Sequence, residues 1–327
     1  MFSKLNEVIL SDGSRATLAM IQGPDPEWAD QIRSLLGHKG PFWKWQNAQC
    51  IEQDLGIDSR YHVLISKGKL FANICTFEIN GVGLFAHVWT SPEMRKKGAA
   101  SILTNAVIDD FKARGKAVVL GTEYNSIAYH LYLKHGFVGV EKNSRYMELF
   151  SGDREVFEKD FYRRGGLTMR PVCWQDWPTA PFLFLSNFPG VIRSLHMNII
   201  GRGSTEGGLL KLIQHNEQHE EKTSWSLSSP ETGAVLAVAS YHAHPHWPES
   251  IILDVYSHPD CWDQCPELID RLNLPDSPRI LSYSDSENKE KCALLSELGF
   301  KKSASFRDRV YKDAEKTSPV DVFEYEK

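Results

Sequence analysis

The sequence lacks three features that would place it in a special class of protein. No apolar run within its 327 residues approaches the roughly 20 residues of a membrane-spanning helix, and residues 1–7 do not resemble a signal peptide. The six cysteines occur singly, so their spacing predicts neither a disulfide framework nor a zinc ribbon. The net charge of −5 provides no overall attraction to nucleic acid. We therefore expect a cytoplasmic globular protein without a membrane or nucleic-acid partner.

Length and local composition predict two domains. A chain of 327 residues exceeds the size at which a single core usually stops growing. Residues 151–165 are rich in charge and run into Arg163-Arg164-Gly165-Gly166, which predicts a linker helix followed by a break. Beyond it the pattern of strands and helices begins again. We expect a first domain over residues 1–150 and a second over residues 166–327.

A basic, glycine-containing loop stands at the centre of the first half. Residues 83–90 alternate as a strand does, Ser91-Pro92 ends that strand, and residues 99–112 show a helical pattern. The intervening Arg95-Lys96-Lys97-Gly98 would place positive charge and unpaired N–H groups at the start of a helix, where a phosphate binds well. The small residues Ala99 and Ala100 would leave the site open. On its own, the loop is equally well explained as a solvated turn.

Two motifs resemble signatures of one enzyme superfamily. Arg95-x-x-Gly98-x-Ala100 matches the Arg/Gln-x-x-Gly-x-Gly/Ala signature of the GNAT acyltransferases, the GCN5-related N-acetyltransferases. The segment from Asn125 to Phe137 resembles the second signature of that superfamily, Asn-x-x-Ala-x-x-Leu-Tyr-x-x-x-Gly-Phe. The motifs occur in the expected order, and the resemblance covers roughly residues 11–150.

The resemblance implies a fold and a co-substrate. The expected fold class is α/β (α+β), with two tandem GNAT-like domains, each a mixed, mostly antiparallel twisted sheet with helices on both faces. The expected co-substrate is acetyl-CoA, whose pyrophosphate the loop would hold and whose pantetheine would pair with the preceding strand. The implied cofactor-binding residues are Val88, Trp89, Thr90, Arg95, Lys96, Lys97, Gly98, Ala99, Ala100, Ser101, Asn125 and Ala128.

Two residues of the second motif have alternative roles. The resemblance implies that Tyr132 is the general acid that protonates the leaving thiolate, but this tyrosine could instead simply pack against Phe137. Asn125 precedes a helical segment, where its side chain could serve as an N-cap.

The second half resembles a degenerate copy of the first. Residues 255–262 align with residues 88–95, but Trp262 stands in place of Arg95 and Cys265 in place of Gly98. Asn288 precedes Gly299-Phe300 as Asn125 precedes Gly136-Phe137, but Leu295 replaces Tyr132. The layout resembles the tandem acetyltransferases of the mycothiol-synthase type, in which the other half keeps the cofactor chemistry.

The acceptor and the general base are left open by the sequence. Residues 42–45 contain three aromatics on an expected surface connection, where they could form an acceptor site or pack beneath the loop. At the strand positions where some relatives have a base, this chain has Leu84 and Ala86, and His87 should point to the opposite face. Possible bases elsewhere are His62, Glu78 and Glu123.

The predicted activity is transfer of an acetyl group to a primary amine of an unidentified acceptor, a small molecule or a peptide. A non-catalytic acyl-CoA sensor is the alternative, and the oligomeric state is open. His242-x-His244-x-His246 could in principle bind a metal, but Pro245 and Pro248 favour an irregular loop. No metal site is therefore predicted.

Overall fold

The computed structural model describes residues 1–312 and 316–326, and the chain divides into two compact units. The first unit spans residues 1–157 and the second residues 158–327. The division falls within a charged helix, Arg154–Phe161, in the segment predicted as a linker helix. None of the helices described is both long enough and apolar enough to cross a bilayer.

The first unit consists of eight strands and four helices before that charged helix. The strands are β1 (Phe2–Ile9), β2 (Arg15–Gln22), β3 (Asp58–Ser66), β4 (Lys69–Ile79), β5 (Val82–Thr90), β6 (Ala117–Gly121), β7 (Val138–Gly139) and β8 (Tyr146–Phe150). The helices are α1 (Pro26–Leu35), α2 (Pro41–Glu52), α3 (Ala99–Arg114) and α4 (Ile127–Lys134), and the charged helix Arg154–Phe161 is α5.

Local sequence accounts for several of these boundaries. Asp25 is the N-cap of α1, and its carboxylate accepts hydrogen bonds from Glu27 N at 3.2 Å and Trp28 N at 3.4 Å. The turn between β4 and β5 is formed by Asn80-Gly81, both at positive φ, as such a hairpin requires. One expectation was wrong: the aromatic stretch at residues 42–45 is the first turn and a half of α2, not a surface connection.

The first sheet is mixed and mostly antiparallel. Its strand order is β1-β2-β3-β4-β5-β6-β8-β7, and β5 and β6 form its parallel pair. That pairing joins residues 82–84 to residues 117–119, although β5 continues to Thr90 and β6 to Gly121. The two strands therefore separate towards their carboxyl ends. The edge of β5 beyond Leu84 is left without a neighbouring strand on that side.

A β-bulge interrupts the pairing of β4 with β5. Asn73 pairs with Trp89 and Cys75 with Ala86, so that His87 and Val88 lie opposite the single residue between the two partners. His87 has φ +52°, a left-handed conformation that is uncommon outside glycine. The bulge shifts the inward and outward alternation of side chains along β5, which changes the face on which His87 lies.

The second unit repeats the arrangement of the first. Its strands are β9 (Thr168–Pro171), β10 (Ile192–Ser194), β11 (Ile199–Ile200), β12 (Ser224–Ser228), β13 (Val235–Ala243), β14 (Ser250–Ser257), β15 (Arg279–Ser284), β16 (Lys301–Tyr311) and β17 (Thr317–Glu326). Its helices are α6 (Ala180–Leu185), α7 (Glu206–Gln218), α8 (Cys265–Asp270) and α9 (Lys289–Glu297).

The two sheets follow one topological scheme. The second sheet has the order β16-β17-β15-β14-β13-β12-β9, with β14 and β15 as its parallel pair. Taken from its other end, this order matches β2-β3-β4-β5-β6-β8-β7 strand for strand. The predicted fold class, two tandem GNAT-like domains built on mixed sheets, is confirmed.

Candidate functional site

The basic loop between β5 and α3 forms an open helix N-terminus. A 3₁₀ turn spans Pro92–Met94, Lys96 and Gly98 have φ +61° and +83°, and α3 begins at Ala99. Gly98 is the N-cap and has no side chain to bind the first N–H groups of α3, which lack partners within the helix. A Cβ built on Gly98 would meet no atom within 4 Å. The loop therefore leaves these donors open to an anion.

The three cations of the loop differ in their environment. Lys97 Nζ lies 3.0 Å from Asp12 Oδ2, and the Lys97 carbonyl accepts a hydrogen bond from Ser11 N at 3.1 Å. Hydrogen bonds from Ser14, together with Lys97, lower the pKa of Asp12 to about 2, so this carboxylate stays charged. Lys97 thus holds the loop against the β1–β2 turn, while Lys96 is exposed. The tether depends on a contact between residues far apart in sequence and was not predicted.

Arg95 is held at the end of β5 by a tryptophan. Its guanidinium carbon lies 4.5 Å from the centre of the Trp89 ring, and its Nε donates to the Thr90 carbonyl at 3.0 Å. The ring of His38 stacks on Trp89 with the centroids 3.5 Å apart. Arg95 remains exposed and lies three residues before Gly98, the N-cap of α3.

Tyr132 lies in the core between α4 and the sheet. Its ring contacts Phe85 at 5.4 Å and Phe137 at 5.8 Å, centroid to centroid, and the residue is 4% exposed. Burial raises the pKa of its phenol to about 12, so the group holds its proton at neutral pH. Val88, Ala99 and Ala128, three predicted cofactor-binding residues, belong to or pack against the same apolar cluster. Tyr132 therefore belongs to the same apolar cluster as residues of β5, α3 and α4.

The capping role predicted for Asn125 was wrong. The N-cap of α4 is Ser126, whose hydroxyl accepts a hydrogen bond from Tyr129 N at 3.1 Å. Asn125 has φ +59°, a conformation that asparagine tolerates better than most residues. Its Oδ1 lies 2.8 Å from His130 Nε2. The exposed Asn125 thus lies in the turn before α4.

Two of the possible bases are engaged elsewhere. Glu78 is buried and forms a bidentate ion pair with Arg114. Glu78 on β4 pairs with Gly83 on β5, and Gly83 lies seven residues before the end of β5 at Thr90. Glu78 is therefore roughly 20 Å from that end of the strand. His62 is also buried, 3.9 Å from Asp110, and burial lowers its pKa to about 4. The third possibility, Glu123, is exposed in the segment between β6 and α4.

His87 does not lie on the face predicted for it. We expected it to point away from the face of Leu84 and Ala86, but the bulge turns its ring towards α2. Its Nε2 lies 2.6 Å from Gln46 Oε1, and its ring contacts Trp43 at 5.8 Å. Burial in this environment, with Lys39 nearby, lowers the pKa of the ring to about 3. No pattern in the sequence marks the bulge, because alternation predicts an uninterrupted strand.

The aromatics of α2 are neither fully buried nor fully exposed. Phe42, Trp43 and Trp45 are all half-buried, and Phe42 contacts both tryptophan rings, at 5.6 Å and 5.9 Å. Trp43 also touches His87 on β5. Both interpretations, an acceptor wall and packing, are compatible with this placement.

In the second unit, the place corresponding to the separation of β5 and β6 is filled by its own chain. Val191 N and Ile192 N donate to Asp285 Oδ2, at 2.7 Å and 2.9 Å, just beyond the end of β15. His196 N donates to Asp254 Oδ2 on β14 at 2.6 Å. Residues 189–196 therefore bridge the two strand ends where the first unit is open.

Side chains complete this filling. Lys291 of α9 aligns with the small Ala128 and is fully buried. The guanidinium carbon of Arg193 lies 5.1 Å from the centre of the Tyr256 ring. Tyr256 aligns with Trp89. The pairing of β13 with β14 has no register shift, so the second unit lacks the bulge. The second unit thus lacks the basic glycine loop and the bulge of the first, and its own residues 189–196 lie against the ends of β14 and β15.

The described residues contain no group of three or more metal-ligating side chains placed to hold an ion. His242 belongs to β13 and stacks on His196 at 4.2 Å, and His244 stacks on Trp247 at 4.2 Å. The ring of His246 lies 6.3 Å from that of His244, edge to face, so His242 is the one whose ring partner lies outside this stretch of the chain.

Comparison with known proteins gives one family match and a set of similar solved structures. Residues 28–137 match the model of the acetyltransferase (GNAT) family. No curated protein matches the sequence. Similar solved structures include an N-acetyltransferase from Staphylococcus aureus Mu50, with 13% identity over 50% of this chain and 99% of that chain and a TM-score of 0.38.

Two further solved structures show the same extent of similarity. The yncA protein of Salmonella typhimurium, solved with its cofactor acetyl-CoA, has 14% identity over 50% of this chain and 94% of its own, with a TM-score of 0.37. The ribosomal-protein-S5-alanine acetyltransferase of Vibrio fischeri has 14% identity over 50% of this chain and 95% of its own, with a TM-score of 0.35. The match to the acetyltransferase (GNAT) family model lies within the first unit of this chain and covers about a third of its length.

Proposed function

We propose that the protein is an N-acetyltransferase that transfers an acetyl group from acetyl-CoA to a primary amine, using one site in the first unit. The observation that carries the proposal is the coincidence of an open, basic helix N-terminus with a free strand edge and a buried tyrosine. The residues present fit acetyl-CoA: the loop offers N–H donors and positive charge to a pyrophosphate. The edge of β5 offers amide groups to an extended arm.

Each group of residues has a distinct role in the proposed reaction. Arg95, Lys96 and the N–H groups of residues 98–101 bind the pyrophosphate, and Val88–Thr90 pair with the pantetheine amides. Asn125 and Ala128, at the start of α4, line the same site. A backbone N–H of β5 stabilises the charge that develops on the thioester oxygen during attack. The amine nitrogen forms a bond to the carbonyl carbon and loses one proton, and the carbon–sulfur bond breaks.

Tyr132 supplies the proton that the departing sulfur takes up. A phenol whose pKa is about 12 is a weak acid, but burial raises the pKa of a thiol in the same way. Within this unit, burial raises the pKa of the Cys50 thiol to about 12. Desolvation of a thiolate leaving group beside Tyr132 would likewise make it more basic, which favours its protonation. The amine proton passes to solvent, and the Tyr132 phenolate takes up a proton from solvent, so the step balances.

A protein that binds acyl-CoA without turnover is the second candidate. The observation that favours it is that neither Glu78 nor His62 is free to act as a base near the end of β5. Titration calorimetry with acetyl-CoA, followed by thiol release in the presence of a panel of amines, separates the two. Binding with amine-dependent thiol release supports the enzyme, binding without release for any amine supports the sensor, and no binding contradicts both.

A further inference from the structure

Strand β1 is an open edge of the first sheet. Among the strands that the structure describes, it pairs with β2 alone, and most of its residues are exposed. Three of its apolar side chains reach solvent: Phe2 is 39% exposed, Leu5 49% and Ile9 69%. An unpaired strand edge carries a row of N–H and C=O groups that can pair with another chain. The edge of β1 is therefore a candidate surface for pairing with a second chain.

A β-bulge divides β1 near its middle. Lys4 and Asn6 pair with consecutive residues of β2, so that Leu5 is an extra residue in β1. In a regular strand, successive residues direct their backbone groups alternately towards one neighbouring strand and towards the other. An extra residue reverses this alternation. The two halves of β1 therefore differ in which residues, odd-numbered or even-numbered, direct their backbone groups to the open edge.

In the first half of β1, Phe2 and Lys4 direct their backbone groups to the open edge. The carbonyl of Met1 accepts a hydrogen bond from the backbone N–H of Gln22, on β2, at 2.8 Å. Met1 therefore faces β2, and by alternation so does Ser3. Phe2 and Lys4, which alternate with them, face away from β2.

In the second half, Glu7 and Ile9 direct their backbone groups to the open edge. Leu10 N donates to the carbonyl of Ser14, across the turn that joins β1 to β2, at 2.8 Å. Leu10 therefore faces the β2 side, and by alternation Ile9 and Glu7 face the other side. In agreement with this, Glu7 N donates to a side chain of β1 itself, Asn6 Oδ1, at 2.9 Å. This contact is exposed, so a new backbone partner can replace it.

The outward residues match those of a second copy of the same strand. When two copies of β1 run antiparallel, one register pairs all four outward residues at once, with Phe2 opposite Ile9 and Lys4 opposite Glu7. Each such pair exchanges two backbone hydrogen bonds. The two bulges meet at the centre of this arrangement, so they interrupt no pair on either side. The bulge thus makes the edge of β1 complementary to itself.

The side chains at the matched positions are also complementary. Ile9 of one copy would lie beside Phe2 of the other, whose ring stacks on Trp28 with the centroids 4.9 Å apart. Lys4 of one copy would lie opposite Glu7 of the other. These two side chains already form an ion pair within one chain, with Lys4 Nζ 2.6 Å from Glu7 Oε1. Apolar pairs and pairs of opposite charge between strands both stabilise an antiparallel sheet.

We propose that the protein forms a symmetric dimer by antiparallel pairing of β1 with β1 of a second copy. The two eight-stranded sheets then become one continuous sheet about a twofold axis. A lysine on an edge strand usually opposes such pairing, but here the second copy supplies a carboxylate at the matching position. The interface is a single pair of strands, so the dimer is weak and depends on concentration. The inference concerns assembly and is independent of the proposed acetyl transfer.

Sedimentation velocity of the full chain, without added residues at its amino terminus, tests the proposal. Between about 1 µM and about 500 µM we expect the protein to change from monomer to dimer. Glu7→Lys and Lys4→Glu each place like charges opposite one another and should raise the dissociation constant of the dimer at least about tenfold. Both side chains are exposed, so circular dichroism should show an unchanged fold. Lys112→Glu, in the last turn of α3, is the charge-matched control and should dimerise normally.

A mixture of the two variants separates contacts between copies from contacts within one copy. Each variant alone loses its internal Lys4–Glu7 ion pair, whereas in the mixture the two lysines of one chain lie opposite the two glutamates of the other. We expect a heterodimer at least as stable as the dimer of the unchanged protein. Three results would each overturn the proposal: no dimer of the unchanged protein at the highest concentration, a dimer that neither variant weakens, or a mixture that stays monomeric.

Discussion

The guanidinium of Arg95 lies on the face of the Trp89 ring, 4.5 Å from its centre, and its Nε is hydrogen-bonded to the Thr90 carbonyl. Strand β5 therefore holds the first cation of the loop before any ligand is present. A side chain fixed in this way loses less conformational freedom when it pairs with a phosphate. The pairing would be between full charges, which strengthens the hydrogen bonds.

We expect Arg95→Glu to weaken binding of acetyl-CoA at least tenfold, because a negative charge replaces the held cation. Titration calorimetry measures the change. Lys112→Glu is the charge-matched control at the other end of α3, roughly 20 Å away at the rise of a helix. If both variants bind equally well, the loop is not the pyrophosphate site.

The Tyr132→Phe variant should lose activity without losing its co-substrate. The substitution keeps the ring contacts with Phe85 and Phe137 and removes the proton donor, so turnover should fall roughly a hundredfold. Single-turnover thiol release and calorimetry measure the two effects separately. Tyr129→Phe, on the same helix, should retain normal turnover. A Tyr132→Phe enzyme as fast as the unchanged protein would assign this tyrosine to packing alone.

One molecule of acetyl-CoA should bind per chain. In the second unit, residues 189–196 and the buried Lys291 occupy the region that is open in the first. Calorimetry should therefore give a stoichiometry of one. In the Arg95→Glu variant, all of the acetyl-CoA binding should be weakened, because no second site in the chain would retain normal affinity. A second binding event that persists in this variant would show that the second unit also accepts the ligand.

Acid should destabilise the fold through buried histidines. Burial lowers the pKa of His87 and of His196 to about 3, below the value of about 6.5 in an unfolded chain. Between pH 6.5 and 3 the unfolded state binds more protons than the folded state. The free energy of unfolding should therefore fall as the pH falls through this range, by up to about 1.4 kcal/mol per pH unit for each histidine.

Denaturant unfolding of the protein and of His196→Gln at several pH values checks this expectation. The variant should show the shallower decline below pH 6.5, and the difference between the two proteins should be constant above pH 7. Parallel curves across the whole range would mean that His196 titrates equally in the folded and unfolded states.

Much of the fold could be predicted from local sequence. Alternating strands, the Asn80-Gly81 turn and the Asp25 cap are all determined by residues close together in the chain. The glycine loop before α3 was also foreseeable, since a helix start after a strand places its N–H groups at one end. The resemblance of the second half to the first was visible in its motifs, and the strand order of the second sheet repeats it.

Local rules failed where neighbouring residues allowed more than one local structure. Asn125 and Ser126 are both good N-caps, and the structure places the cap at Ser126 because Asn125 adopts a left-handed conformation beside His130. Residues 42–45 contain three aromatics and were expected in a surface connection, but Pro41 begins a helix there.

The sequence by itself determined the order of the elements, the family resemblance and the loop that can receive a phosphate, because each depends on residues near one another in the chain. Tertiary structure alone decided which side of the sheet His87 occupies, that Lys97 is tethered to Asp12, and that residues 189–196 fill the second unit. The physical reason is that a bulge, an ion pair and a segment crossing between strand ends arise from contacts between distant residues. The burial and the hydrogen bonds that stabilise these features form only when the chain packs.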